Sequence, residues 1–251
     1  MEHKSGEGIV VFGATSAVAQ ALARLHAAAG DSLLLVGRNE QRLQDLVNDL
    51  GVRSGQDVQS LQADLAHIDG HPDLVNTINE RMDNVSKYYF FHGILPDQQH
   101  CERSWAATFD VLNTNFLSIA SLLTLIANRV SEESNRSLVI VSSVAGDRGR
   151  QSNYVYGTSK GALNTFLEGL RNRLHKHGCH VMTVKPGFID TPMTAAFSKQ
   201  NFMWATPEKV ASDIYKAANK RKDQLYTPWF WRYIMFVIRH LPEPIFKRLD
   251  L

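Results

Sequence analysis

Six short runs of apolar, mostly β-branched or leucine-rich residues recur along the chain, at 9–12, 32–36, 58–63, 87–91, 137–142 and 180–185, and each is followed by a longer segment of helical period. Runs of four to six residues that are mostly apolar rather than alternating are buried on both faces, as parallel strands joined by helical crossovers are. The pattern predicts an α/β fold, a single-domain doubly wound parallel sheet with helices on both faces. No internal repeat, low-complexity run or Pro/Gly/Ser-rich linker interrupts it, so 1–251 reads as one domain, with 228–251 as a C-terminal helical extension.

Composition narrows the classes of function. Lys plus Arg at 27 against Asp plus Glu at 25 leaves a formal charge of +2, too near balance to argue for nucleic-acid binding. Cys101 and Cys179 are the only cysteines, so there is no disulfide framework and no CxxC pair for structural zinc, and no metal site is expected. Residues 1–8 lack the apolar core of a secretory signal, and no stretch reaches about 18 uncharged apolar residues. The expectation is a cytoplasmic chain that neither leaves the cell nor spans a bilayer.

A doubly wound sheet binds its ligand at the carboxyl ends of its strands. The first run leads into Gly13-Ala14-Thr15-Ser16-Ala17-Val18-Ala19, where Gly13 permits a sharp turn and the following helix offers unpaired N–H groups and a positive dipole end to a pyrophosphate. An ordinary strand-to-helix turn accounts for the same residues. The second run ends in Gly37-Arg38-Asn39 without the carboxylate that would bond adenosine ribose hydroxyls, and Arg38 suits a 2′-phosphate, which favours NADP(H) with NAD(H) still admissible. Asp64, before Leu65, is placed either to meet an adenine amino group or to cap the next segment. His92, before Gly93, reads as a cofactor-wall residue or a satisfied structural histidine.

The fifth run ends at Ser142-Ser143, and thirteen residues past Ser143 stands Tyr156, with Lys160 one helical turn beyond it on the same face. Of the seven tyrosines only Tyr156 has this lysine. A phenol working near pH 7 needs its anion stabilised by roughly 3 to 4 kcal/mol, which a neighbouring ammonium supplies. Ser143 would hydrogen-bond a carbonyl as it gains alkoxide character. Asn115 either fixes a water that extends the proton path from Lys160 or is a satisfied buried amide.

With these residues in order, the sequence resembles the short-chain dehydrogenase/reductase family from Ile9 onward, through Gly13-x-x-x-Ala17-x-Ala19, Asp64, Asn115, Ser143, Tyr156-x-x-x-Lys160 and Pro186-Gly187-Phe188-Ile189-Asp190-Thr191. The resemblance implies a Rossmann-like fold and a catalytic set of Asn115, Ser143, Tyr156 and Lys160. It places the cofactor against Gly13, Thr15, Ser16, Ala17, Val18, Arg38, Asp64, Leu65, His92, Gly93, Tyr156 and Lys160, with Pro186, Gly187, Ile189 and Thr191 at the nicotinamide end. It also implies a homodimer or homotetramer built through the helices that carry Asn115 and Tyr156. Two departures stand out. Ala17 and Ala19 replace glycines, and Phe90-Phe91-His92-Gly93 replaces the usual Asn-Asn-Ala-Gly, so Phe91 and His92 should satisfy that junction differently.

After 225–228 the chain enters an apolar helix over 229–241 in which Arg232 and Arg239, two turns apart, share one face. From 229 to 251 four basic residues stand against two acidic ones, with Lys220, Arg221 and Lys222 just upstream. Such a helix suits a membrane interface, a greasy substrate groove, or a dimer or core-covering role. The run 142–148, the run 153–157 and the tail pattern Arg232-Tyr233-x-Met235-x-Val237-x-Arg239-His240-x-Pro242 resemble a subfamily of reductases that work with a flavin-dependent oxidase partner on a 2-keto pentose carried on a polyprenyl phosphate. The expected function is ketone reduction on such a lipid-linked carbonyl substrate, at the inner face of the membrane, with 193–204 as the substrate lid. The alternatives are a reductase of a soluble ketone or acyl thioester, and a dinucleotide-binding scaffold or sensor.

Overall fold

The computed structural model describes residues 6–54, 57–82, 84–130, 135–195 and 203–249. In chain order the first half comprises β1 (Gly8–Phe12), α1 (Ala17–Ala28), β2 (Ser32–Gly37), α2 (Glu40–Ser54), β3 (Val58–Gln62), α3 (His71–Arg81) and β4 (Val85–Phe90). The second half comprises α4 (Gln98–Arg103), α5 (Trp105–Leu112), α6 (Ser118–Ala127), β5 (Ser137–Val141), α7 (Tyr154–His175), β6 (His180–Pro186), β7 (Phe188–Ile189), β8 (Trp204–Ala205), α8 (Pro207–Asn219), β9 (Gln224–Thr227), α9 (Trp231–His240) and α10 (Glu243–Phe246). Seven strands form one sheet in the order β3-β2-β1-β4-β5-β6-β9, every neighbouring pair parallel. The order reverses between β1 and β4, which opens a crevice at their carboxyl ends.

The central strands β1, β2 and β5 are almost entirely apolar because both faces are covered, whereas the edge strands β3 and β9 carry polar residues and are only partly buried. In β1, Ile9 and Val11 pack with α1, α2 and α8, whereas Val10 and Phe12 pack with α3, α6 and α7. All six expected strands form, with ends moved by one or two residues, and β9 completes the sheet. The β7·β8 pair, Phe188 to Trp204 and Ile189 to Ala205, is too short to leave a periodic signal.

A 23-residue helical run, Trp105–Ala127, is long and apolar enough by composition to cross a bilayer. It contains Asp110, and Ile119, Leu122, Leu123 and Ile126 bury against the sheet, which makes it a flanking helix of the core. Its middle, Asn113–Leu117, widens into a π turn closed by the Ser118 N–H on the Asn113 carbonyl.

Two features of the tail bear on the alternatives open for it. Helix α9 buries only Trp231 and Met235 fully, leaving Tyr233, Phe236 and Val237 outside, so the rest of its cylinder is not all spent on burial. Lys220, Arg221 and Lys222 do not join the tail, because β9 carries the chain across the sheet after them. Arg221 instead donates to the Gly178 carbonyl and the Asn135 side chain, at the amino ends of β6 and β5. Of the expected lid, 196–202 lie outside the described residues, as do 250–251 of the tail.

Candidate active site

The loop after β1 is set by Gly13, whose φ of +73° only glycine adopts readily. A Cβ there would stand 2.5 Å from the His92 backbone nitrogen, so the crevice between β1 and β4 closes to any side chain. Ser16 caps α1, its hydroxyl accepting from the Ala19 N–H at 3.2 Å, and the N–H groups of Ala17 and Val18 have no acceptor within the helix. Ala19 is fully buried, so its extra methyl group lies in the core rather than in the crevice. Arg42, which no motif marked, donates to the Thr15 carbonyl at 3.3 Å and brings a guanidinium to the rim of this loop, while Arg38 stands exposed at the end of β2. An anion-accepting helix end, a cradle closed by Gly13 and two exposed arginines fit a dinucleotide that carries a 2′-phosphate.

Asp64 accepts from the Ala66 N–H at 3.0 Å, which closes a local Asx turn; the helical segments that follow begin after His67 and Gly70 and take no side-chain cap from it. Leu65 is buried, and its carbonyl receives His71 Nε2. At the end of β4, the Phe91 N–H donates to the Phe12 carbonyl and His92 turns to Ser118, with Nε2 3.0 Å from Oγ. The Ser118 hydroxyl already donates to the Thr114 carbonyl, so it must accept here, and His92 carries its proton on Nε2. Burial, with Lys160 nearby, lowers the His92 pKa to about 3 and keeps it neutral. The junction is thus closed through Phe91 and His92 without the usual amide.

Ser143 stands two residues past β5 and Tyr156 lies in the first turn of α7, and they meet because three glycines let a turn press onto that helix. The short turn Val144–Asp147 follows Ser143 directly. A Cβ on Gly146 would stand 2.6 Å from the Lys160 carbonyl carbon and 2.8 Å from the Gly161 nitrogen; one on Gly157 would stand 3.0 Å from the Ala145 carbonyl oxygen. Gly157 and Gly161, four apart inside a helix, were the available signal for this crossing. The Ser143 hydroxyl, which accepts from the Ala145 N–H at 3.1 Å, is placed toward the Tyr156 phenol. Burial pushes that phenol above the ordinary tyrosine value, with the Ser143 hydroxyl pulling the other way. Lys160 is buried, its Nζ 3.2 Å from the Val141 carbonyl and 5.9 Å from the centre of the Tyr156 ring, and burial brings it down to about 8. The expected lowering of the phenol by Lys160 therefore does not prevail: burial wins, and Tyr156 holds its proton.

The Asn115 side chain is fully engaged. Its Oδ1 accepts from the Ile94 N–H at 2.7 Å, and Nδ2 donates to the Ile94 carbonyl at 2.8 Å and to Ser159 Oγ at 3.3 Å. The amide braces the chain after β4 against α7, and no side-chain donor remains to fix a water. Gly93 leaves room for this brace, since a Cβ there would lie 3.0 Å from Asn115 Oδ1 and 3.6 Å from Lys160 Nζ.

Pro186 and Gly187 close β6, and a Cβ on Gly187 would stand 1.9 Å from Nε1 of Trp231. The glycine thus makes room for the tail. Trp231 and Met235 pack on Val144, next to Ser143, and the indole nitrogen is buried without a hydrogen-bond partner among the described residues. Phe188 meets Trp204 and Trp231 at 5.2 and 5.1 Å between ring centres. Ile189 pairs with Ala205, and the Thr191 N–H donates to Thr194 Oγ1. Two buried polar contacts tie the Val144–Asp147 turn to β6 and β9: Lys185 pairs with Asp147 at 2.6 Å, and the Tyr226 hydroxyl donates to Asp147 at 2.7 Å. Among the described residues, no cluster of three or more His, Cys, Asp or Glu side chains is arranged to hold a metal.

A glycine-gated crevice at a topological switch point and a buried Ser-Tyr-Lys group at the neighbouring strand end define a Rossmann-like oxidoreductase. Residues 7–201 match the family model described as short chain dehydrogenase, and the chain belongs to that family of NAD(P)-dependent dehydrogenases and reductases. It is 31% identical over 249 residues to an uncharacterized oxidoreductase of Mycobacterium tuberculosis, covering 99% of each chain. It is 29% identical over 242 residues to another of Streptomyces coelicolor, covering 96% of this chain and 95% of that one. Among solved structures it shares its fold with a short-chain dehydrogenase from Sphingobium yanoikuyae in complex with NADPH, with a TM-score of 0.83, 19% identity and 97% and 96% of the two chains covered. A short-chain dehydrogenase from Burkholderia cenocepacia in complex with NADP superposes with a TM-score of 0.82, 18% identity and 98% of each chain covered.

Proposed function

We propose that this protein is an NADP(H)-dependent ketoreductase acting on a 2-keto sugar carried on a polyprenyl phosphate. The observation that carries the chemistry is the convergence of Tyr156, with Ser143 at its phenol and Lys160 Nζ 5.9 Å from its ring centre, beside a crevice fit for a dinucleotide. Gly13, Thr15, Ser16, Ala17, Val18, Asp64, Leu65, His92 and Gly93 would hold the adenosine and pyrophosphate portions, with Arg38 and Arg42 at the 2′-phosphate. Pro186, Gly187, Ile189 and Thr191 would hold the nicotinamide end. When bound, the nicotinamide supplies the hydride. Ser143 donates to the substrate carbonyl oxygen, Tyr156 delivers its proton to that oxygen as negative charge develops, and Lys160 stabilises the phenolate left behind. Asn115 is a positioning residue that keeps the β4 end and α7 in register.

The substrate class rests on the tail. Phe188, packed edge-on against the buried Trp231 and itself exposed, offers apolar surface next to the turn that follows Ser143, which suits a prenyl chain better than a hydrated small ketone. A flavin-dependent oxidase partner would supply the ketone, and the enzyme would work in the cytoplasm at the inner face of the membrane. Exposed Trp105, Phe109, Leu117 and Tyr154, on or beside the helices that flank Asn115 and Tyr156, support a homodimer.

The test is NADPH consumption by the purified protein with a short-chain polyprenylphosphoryl 2-keto pentose beside a panel of small ketones and acyl thioesters. Turnover of the prenyl-linked substrate alone is the expected result. Preference for a soluble ketone would retain the reductase chemistry and replace the substrate; binding of NADPH without any turnover would favour a sensor.

A further inference from the structure

The tail helix has two apolar faces, and only one of them is used by the fold. Trp231 and Met235 face inward onto Val144, with Ile234 and Ile238 beside them. On the opposite side Tyr233, Phe236 and Val237 are 64%, 63% and 60% exposed, at helical spacings of three and four that form one stripe. Trp229, also exposed, extends the stripe by packing edge-on against Tyr233, ring centres 5.9 Å apart. Ile245 and Leu249 stand exposed in the segment that follows. Arg232 and Arg239 line one flank of the stripe, and Lys247 and Arg248 follow it; none of the four has an ion-pair partner among the described residues. The acidic residue among them, Glu243, is taken by Arg148 at 2.9 Å.

We propose that this outer face of α9 docks on an anionic bilayer surface. Aromatic rings with basic residues at their margin match the headgroup boundary, where the rings enter the acyl region and the guanidinium and ammonium groups meet lipid phosphates. A second copy of the chain fits less well, because an antiparallel two-fold pairing through this stripe would bring the basic flank of each copy against the same flank of the other, and a parallel one would give neither flank an acidic partner. The proposal stands without the substrate assignment but deepens it. An α-helix with its side chains is about 10–12 Å across. With one face of α9 on the bilayer and the other on Val144, the residue after Ser143 lies about one helix diameter from the lipid. A prenyl-anchored carbonyl would reach the site without leaving the membrane.

The experiment is flotation of the full chain with vesicles of phosphatidylcholine alone and of phosphatidylcholine with phosphatidylglycerol, at low and raised salt, with no sugar substrate present. The expected result is association with the anionic vesicles, weakened by salt. Tyr233→Ser/Phe236→Ser should lower the bound fraction about tenfold while NADPH affinity and Tm stay unchanged. If that variant is unstable, Arg232→Gln/Arg239→Gln provides the second reading and should lose the anionic preference. Absence of binding to anionic vesicles would overturn the proposal. So would binding that both variants retain, or light scattering showing that the Tyr233/Phe236 change only dissociates an oligomer. Because the assay contains no substrate, its outcome is independent of whether the prenyl-linked ketone is turned over.

Discussion

Lys160 keeps its ammonium where burial works against the charge, and this sets two expectations at the scale of single residues. Its pKa, about 8 in the folded chain against 10.5 when solvated, means the folded state binds fewer protons between those values. The buried charge therefore costs stability below pH 8, by an upper bound of about 3 kcal/mol at pH 7, and the cost disappears as pH rises toward 10.5. Lys160→Met should raise the Tm of the cofactor-free protein at pH 7 while abolishing turnover; an unchanged or lower Tm in calorimetry would contradict the burial argument. The rate of ketone reduction should fall as pH rises through about 8 with loss of the Lys160 proton, whereas Tyr156, held above its ordinary value, stays protonated in that range. Tyr156→Phe removes the proton donor without altering the crevice, so turnover should drop by about 10² to 10⁴ with NADPH affinity nearly intact, read by stopped-flow and fluorescence titration. At the other end of the cradle, Arg38→Ala/Arg42→Ala should weaken NADPH binding by about 1–3 kcal/mol per lost charge-assisted contact and leave NADH binding little changed.

At the scale of elements, the tail depends on one arginine. Arg148, at the end of the Val144–Asp147 turn, donates to the Ile238 and Leu241 carbonyls at 2.6 and 2.7 Å, pairs with Glu243 and lies 3.6 Å over the Phe246 ring. It satisfies carbonyls that a helix end leaves open, at the negative pole of the α9 dipole. Arg148→Ala should cost about 2–3 kcal/mol, and amide exchange should quicken over 231–246 while α7 stays protected; uniform exchange changes would mean that the tail unfolds with the rest. The same turn shows what sequence reading reaches. Tyr156 and Lys160 are legible because four residues make one helical turn. That Gly146 presses onto Gly161, and that Gly187 clears space for Trp231, depends on elements far apart in the chain, and a glycine alone does not say what approaches it.

At the scale of the molecule, the exposed Trp105 and Phe109 on α5 and the tail stripe on α9 are separate apolar surfaces with different neighbours. The first has Glu102, Arg103 and Asp110, of both signs, exposed beside it and suits a second copy. Trp105→Glu/Phe109→Glu should convert a dimer to a monomer by light scattering without changing vesicle binding. Sequence alone determined the parallel sheet, since strands apolar on both faces demand helices on both sides, and it marked Ser143, Tyr156 and Lys160, whose roles are carried by residue type and short spacing. Tertiary structure alone decided that burial keeps the Tyr156 proton in place and that Asn115 is a brace. It also decided that Lys220, Arg221 and Lys222 stand apart from the tail, and that α9 packs one face on the turn after Ser143 and leaves the other to solvent. Desolvation and packing arise from groups that meet only when the chain is folded, so no local pattern records them.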